Sequence, residues 1–363
     1  MSKFRARGLL GLVASVAALV LSSCGGSGSG AGTAGVGSGT SGCVTNPDCT
    51  VQSISSVAYG AGIYVAGGSG GLGSGSGDTI GPWVETSTDG VSWKVGDSGD
   101  TTKGGGFDSI SYGSHGFLAL DFSSQKLFLS TNGLNWTDVT PPGLANGELQ
   151  TVDWDGSEYI AYAGGPILES PDGKTWTAYP VTFQSEYPFS IRKVSGSYVA
   201  LWSPGNADPT DLFATSTDQI HWTVHSVSFG NKLSDSPTDL IYAGKQLVAV
   251  GTRGFIATSS DGTTWTDAST GDSSNDFLQV AYNGSVYVAV GSCGSIDYSA
   301  DANTWTAVSI SNLLRSNVTC SPGNTSSVQL SAITAQQGGG FVGIGGTEGL
   351  TSMDGIHWTA IKF

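Results

Sequence analysis

Seven short segments set a carboxylate or carboxamide, a small residue and a tryptophan at fixed spacing. They read STDGVSW (87–93), STNGLNW (130–136), SPDGKTW (170–176), STDQIHW (216–222), SSDGTTW (259–265), SADANTW (299–305) and SMDGIHW (352–358). A carboxylate beside a hydroxyl can serve acid–base chemistry, and oxygen donors in one loop can hold a hard cation. Repetition argues against both. A substrate or an ion needs donors that converge, whereas copies recurring roughly every 45 residues stand apart in a regular repeat. Asp-Gly and Asn-Gly are hairpin-turn dipeptides, and an Asp side chain can accept the amides that a turn leaves unpaired. Ser87 with Asp89, and Asn132, Asp172, Asp218, Asp261, Asp301 and Asp354, are therefore expected to hold turns. Trp93, Trp136, Trp176, Trp222, Trp265, Trp305 and Trp358 are expected to wedge apolar area between repeats. Gln219 and Ala302 stand where the other copies carry Gly, so those two turns should differ in detail. The ligand density of an EF-type loop is absent, and neither metal nor cofactor is expected. His221 and His357 occupy a variable position before the tryptophan and read as solvent-exposed.

The elements that carry these boxes alternate apolar and polar residues with period two. VAYGAGIYVAGG (57–68), LIYAGKQLVAVG (240–251) and VAYNGSVYVAVG (280–291) each read as strand, turn, strand. A third strand ends at the box Ser and a fourth carries the Trp. Four antiparallel strands repeated seven times predict an all-β, seven-bladed β-propeller over 51–363, with blades near 51–97, 108–140, 148–180, 187–226, 236–268, 276–308 and 328–363. Strand alternation puts the boxes and the first-to-second turns on one face. The second-to-third turns and the links between blades fall on the other. Kelch and WD signatures are absent.

The box resembles the Asp-box, or BNR, repeat of sialidase-like propellers, in a form one residue shorter between Asp and Trp. The resemblance covers the whole propeller and implies the same fold. A sialidase-like activity would further require three convergent arginines, a Tyr–Glu nucleophile pair and an acid. After removal of the amino-terminal segment only Arg192, Arg253 and Arg315 remain, on an inner strand, a second-to-third turn and an insertion. Nothing in the spacing brings them together, and no catalytic residue is assigned. No other catalytic motif stands out.

Recognition is expected on the irregular face, since loops on a rigid scaffold usually carry binding residues. GGSGGLGSGSGDTIGPW (67–83), WSPGNADPTDLF (202–213) and the insertion near 309–328 lie there. Trp83 and Trp202 fall in these loops and could stack on a sugar ring or anchor a protein. Arg253 and Arg315 are on the same face. Arg192 is placed in an inner-strand column with Val57, Ile110, Val152, Leu240, Val280 and Ile333. There it either lines a central binding site or makes a structural ion pair. Asp153 and Asp155 flank Trp154. Cys293 and Cys320 share the irregular face and can pair, leaving Cys43 and Cys49 to pair locally.

The amino terminus sets the compartment. Lys3, Arg5 and Arg7 precede an apolar run from Gly8 to Leu21, too short for a lasting membrane span. It ends Leu21-Ser22-Ser23-Cys24, which resembles the lipobox of bacterial lipoproteins. The resemblance implies a signal peptide over 1–23, lipidation of Cys24, and a place in the cell envelope at the outer membrane or cell surface. Residues 24–50 are a lipidated Cys and a Gly/Ser-rich tether, in which the stretch 25–42 has a reach of about 25 Å. Formal net charge is -15, which argues against nucleic acid and against electrostatic docking on anionic lipid. The whole reads as a monomeric, non-catalytic envelope lipoprotein that binds an envelope protein or glycan and meets the membrane through its lipid anchor alone. The alternative is a glycoside hydrolase or sialidase-like enzyme. Propellers with similar repeats include photosystem assembly factors, which allows a chaperone-like role by analogy.

Overall fold

The computed structural model describes residues 49–72, 79–99, 105–142, 149–163, 166–180, 187–203, 211–227, 236–270, 276–310, 313, 330–346 and 348–362, all within the compact unit Ser41–Phe363. The signal segment, the tether, Cys24, Cys43, Arg315, Cys320 and most of the insertion lie outside them, as does the side chain of Cys293. Both expected disulfides therefore fall outside the described residues.

The protein is a seven-bladed β-propeller. Seven four-stranded antiparallel sheets are each built from strands consecutive in sequence. Blade one comprises Cys49–Gly60, Ile63–Leu72, Thr79–Ser87 and Lys94–Val95. Blade two comprises Phe107–Gly113, Gly116–Asp121, Lys126–Ser130 and Thr137–Asp138; blade three, Leu149–Trp154, Tyr159–Ala163, Ile167–Ser170 and Thr177–Tyr179. Blade four comprises Tyr187–Val194, Ser197–Ser203, Asp211–Ser216 and Thr223–Ser226; blade five, Pro237–Ala243, Gln246–Gly251, Ile256–Ser259 and Thr266–Asp267. Blade six comprises Phe277–Tyr282, Tyr287–Gly291, Ile296–Ser299 and Thr306–Ala307; blade seven, Ala332–Ala335, Phe341–Gly345, Glu348–Ser352 and Trp358–Lys362. The first strands neighbour one another around the ring and line its centre.

A sheet with two apolar faces must cover both, and each blade does so against its neighbours. Every seam holds an apolar cluster with one box tryptophan. Trp93 lies in the seam between blades seven and one, Trp136 between one and two, and Trp176 between two and three. Trp222, Trp265, Trp305 and Trp358 complete the ring in order. Trp265 stacks on Phe213 of blade four, with ring centroids 3.7 Å apart. An indole burying about 200 Å² contributes roughly 5 kcal/mol before the entropy of fixing it.

The box turn aims the tryptophan. Asp89 Oδ1 accepts the amides of Val91 and Ser92 at 2.8 and 2.7 Å, and Ser87 Oγ accepts that of Gly90 at 2.8 Å. Asn132, Asp172, Asp218, Asp261, Asp301 and Asp354 repeat the two-amide pattern. In five boxes the indole N–H of Trp136, Trp222, Trp265, Trp305 or Trp358 then donates back to the carbonyl three residues earlier, as in Trp265 to Gly262 at 3.1 Å. Gly90, Gly133, Gly173, Gly262 and Gly355 take the left-handed conformation, and so do Gln219 (φ 61°) and Ala302 (φ 60°).

Gly262 packs directly on Val199 of the preceding blade, where a Cβ would overlap the valine side chain. Gly262→Ala should therefore cost about 3 kcal/mol, from left-handed strain of about 1–2 and overpacking of about 1–3. Urea unfolding of the variant measures it. A loss under about 0.5 kcal/mol would show that the turn does not control the seam.

Candidate functional site

The first strands are edge strands facing the centre, and their free amides need partners. Side chains of the preceding blade supply several. Ser109 Oγ accepts the Val152 amide at 3.3 Å and Tyr162 Oη that of Ile191 at 2.7 Å. Asp239 Oδ2 accepts the Val280 amide at 3.0 Å and Gln279 Oε1 that of Ile333 at 2.9 Å. Blades one and seven join through the Ile54 amide and the Gly346 carbonyl at 2.6 Å.

Against this polar wall sits the main charge cluster of the centre. Arg192 of blade four donates through Nη1 to Asp153 of blade three and, at 2.8 Å, to the Ile191 carbonyl. The two side chains retain 14% and 24% exposure. Burial alone would lower the guanidinium pKa, but Asp153, Tyr162 and Asp239 outweigh it and hold the charge in place. Burial raises the Asp239 carboxyl, opposed by Arg192 and by the Val280 amide. Tyr162 is raised well above the usual phenol range, first by burial. The arrangement is a tie between blades three and four, the ion pair that was one of the two readings open for Arg192.

The column assigned to Arg192 is corrected by one residue. Val57, Ile110, Val152, Leu240 and Val280 each pair with an alanine of the second strand, and in blade four the residue paired with that alanine, Ala200, is Ile191. Arg192 pairs with Val199, just as Asp153 pairs with Ile160. Arginine and aspartate thus hold equivalent positions in adjacent blades.

Trp83 and Trp202 are also corrected. They are 6% and 4% exposed, packed within the sheets rather than presented on loops. The Trp83 indole donates to Glu85 Oε1 at 2.8 Å, and Glu85 is itself raised by burial. Trp202 packs at 6.1 Å from Trp222. Both lie on strands whose pairing continues further than the loop-like composition indicates, so their rings turn into seams. Arg253 sits in the second-to-third turn of blade five at φ 58°, its amide donating to Asp276 at 2.8 Å. Arg315 is outside the described residues. His221 and His357 are exposed as expected, each bonded through Nδ1 to the carboxylate of its own box at 2.7 Å.

Three polar features were not singled out by sequence reasoning. Asp239 fills an inner-strand position occupied elsewhere by Ser, Thr, Gln or Ala. Glu169 is 3% exposed in a third-strand column. Asp108 reaches solvent yet is crowded beside Asp121, and its Oδ2 accepts the Phe122 amide at 3.0 Å. Its pKa is pushed up to about 6 by burial, against the Phe122 amide and with help from Asp121. Aligning strands one and three across blades shows all three as departures. Among the described residues no three His, Cys, Asp or Glu are placed to hold a metal ion.

No family model matches the sequence, and no curated protein matches it. Solved structures match the fold over nearly the whole chain. YCF48 bound to D1 peptide is 16% identical, with a TM-score of 0.57 over 89% of this chain and 98% of that one. YCF48 from Cyanidioschyzon merolae is 16% identical, with 0.57 over 84% and 95%. A catalytically inactive virginiamycin B lyase from Staphylococcus aureus with quinupristin is 10% identical, with 0.57 over 89% and 98%. These likenesses establish the shared propeller fold.

Arg192→Met should cost about 2 kcal/mol, less than the ~3–5 of a fully buried pair because both partners keep some solvent. The double variant Asp153→Leu/Arg192→Met should recover most of it; equal losses in single and double variants would exclude a coupled pair. Asp108 has a raised folded pKa, so its proton stabilises the fold below about 3.8 and that contribution is lost as pH rises through about 6. Melting temperature of the wild type relative to Asp108→Asn should fall across this window. A constant difference would exclude the effect.

Proposed function

We propose that this protein is an exported, lipid-anchored envelope propeller that binds a protein segment and carries no reaction of its own. The observation that carries this reading is the use of the seven boxes. Every box Asp or Asn accepts amides of its own turn, so the repeated polar residues are scaffold and recognition is left to positions where the blades differ. The Ser–Asp bonding supports a relationship to Asp-box, or BNR, repeats. The lipobox-like Leu21-Ser22-Ser23-Cys24 supports anchoring at the outer membrane or cell surface. The likeness to YCF48 bound to D1 peptide supports a peptide or protein as ligand. In this reading the propeller works as a monomer.

Two measurements test the proposal. Mass spectrometry of the mature protein should find an acylated Cys24 at the amino terminus, and Cys24→Ala should release the protein from membranes. An unacylated terminus would end the lipoprotein reading. Crosslinking in intact envelopes should recover a defined protein partner, and recovery of glycan alone would favour the rival reading.

A further inference from the structure

The seam between blades three and four departs from the others. Elsewhere the box glycine lies on an aliphatic side chain of the preceding blade: Gly90 on Val342, Gly133 on Val65, Gly262 on Val199 and Gly355 on Val288. Blade four has Gln219 instead, 1% exposed and left-handed. Such a residue is strained, and its amide is costly to bury without a partner. Facing it on blade three is Glu169, where the equivalent third-strand positions are Thr86, Leu129, Thr215, Thr258, Tyr298 and Thr351. In other seams the residue equivalent to Glu169 lies against the box glycine, Thr86 on Gly133 and Thr351 on Gly90, so the Gln219 side chain meets Glu169 across the seam, and the Tyr179 hydroxyl also acts on its carboxylate. Two departures from the repeat thus meet across one seam, and the apolar cluster there shrinks to Ile160, Tyr162, Ile167, Ile191 and Ala200.

The network is unfinished, and what it lacks is a donor. Glu169 Oε1, Gln219 Oε1 and Asp155 Oδ2 are buried without a hydrogen-bond partner. All three are acceptors, and Glu158 adds a further negative charge acting on Glu169. Lys193 of blade four supplies one cation. Its Nζ reaches across to Ser157 Oγ of blade three at 3.3 Å and lies 5.2 Å from the centroid of the Tyr198 ring, leaving those oxygens unbonded. A single metal ion does not fit, since no metal-holding group of His, Cys, Asp and Glu occurs among the described residues. Acceptors spread along a seam suit a cation that carries several donors, and the rings of Tyr179, Tyr198 and Trp222 beside them suit its flat face.

We propose that the seam between blades three and four binds a cationic side chain of a protein partner, arginine in preference to lysine, with Glu169 and Gln219 as acceptors and Lys193 as the resident cation it displaces. This rests on the protein-binding reading of the propeller. The net charge of -15 favours a basic partner in the same sense.

The test titrates the full mature chain with the capped peptide Gly-Gly-Arg-Gly-Gly and its lysine and citrulline analogues, read by tryptophan fluorescence and NMR. Citrulline keeps the shape of arginine without its charge. The arginine peptide should bind saturably, the lysine peptide more weakly, and the citrulline peptide at least about tenfold more weakly, the loss typical of one charge-assisted contact. Glu169→Gln and Gln219→Gly should each abolish binding, and Lys193→Met should tighten it. Gln219→Gly guards against misfolding, because it restores the residue of the other turns and should not lower the melting temperature. Equal binding of arginine and citrulline, binding unaffected in both seam variants, no saturable binding to Lys193→Met, or binding of calcium alone would each overturn the inference. Recovery of a crosslinked partner together with any of these would overturn this inference and leave the platform reading standing.

Discussion

One interaction underlies the ring: a carboxylate or carboxamide oxygen accepting two backbone amides at the turn before each outer strand. Those amides would otherwise be unpaired at a sharp reversal. With them satisfied, the box residue at +1 holds a left-handed conformation, the chain reverses tightly, and the tryptophan falls into the seam with the preceding blade. A turn-level hydrogen bond thus becomes a blade-to-blade contact. Each blade is made of four consecutive strands, so no exchanged strand ties the described ring together. Closure depends on seven such seams and on polar contacts around the inner edge.

The inner edge follows from the same accounting of backbone groups. First strands present free amides to the centre, and side chains from the neighbouring blade accept several of them. Between blades three and four this device is reinforced by charge. Arg192 and Asp153 stand at equivalent positions of adjacent first strands, which only a ring of repeats brings side by side. At its outer part the same seam holds Glu169 and Gln219. A charged and an amide side chain thus stand in this seam where the other blades carry Gly, Ala, Thr, Leu or Tyr, and its apolar cluster is the smallest of the seven described.

Charge state follows the same geometry. Box carboxylates that accept amides are held low: Asp89, Asp172 and Asp261 titrate at about 2, below the unfolded value near 3.8. Their contribution to stability is present above that value and is lost as pH falls through about 2. Glu85, Glu169 and Asp239 are raised by burial, the opposite direction. Turn-holders are held ionised at the rim, whereas burial works against the charge of Glu85, Glu169 and Asp239.

The sequence by itself determined the repeat, the strand order, the number of blades, the role of the boxes and the exposure of His221 and His357. All of these are local: a turn dipeptide, a period-two pattern and a fixed spacing act within one blade and can be read there. Only the tertiary structure decided where Trp83, Trp202, Arg192, Glu169 and Gln219 point. Trp83 and Trp202 look like loop residues, but the strands around them continue, and pairing turns their rings inward. Arg192 was displaced by one residue in the column comparison, and one residue is one face of a strand. Gln219 was visible as a missing glycine, but its meaning required Glu169, fifty residues away and across a seam. Contacts between blades are set by packing of whole sheets, and no spacing within a single blade encodes them.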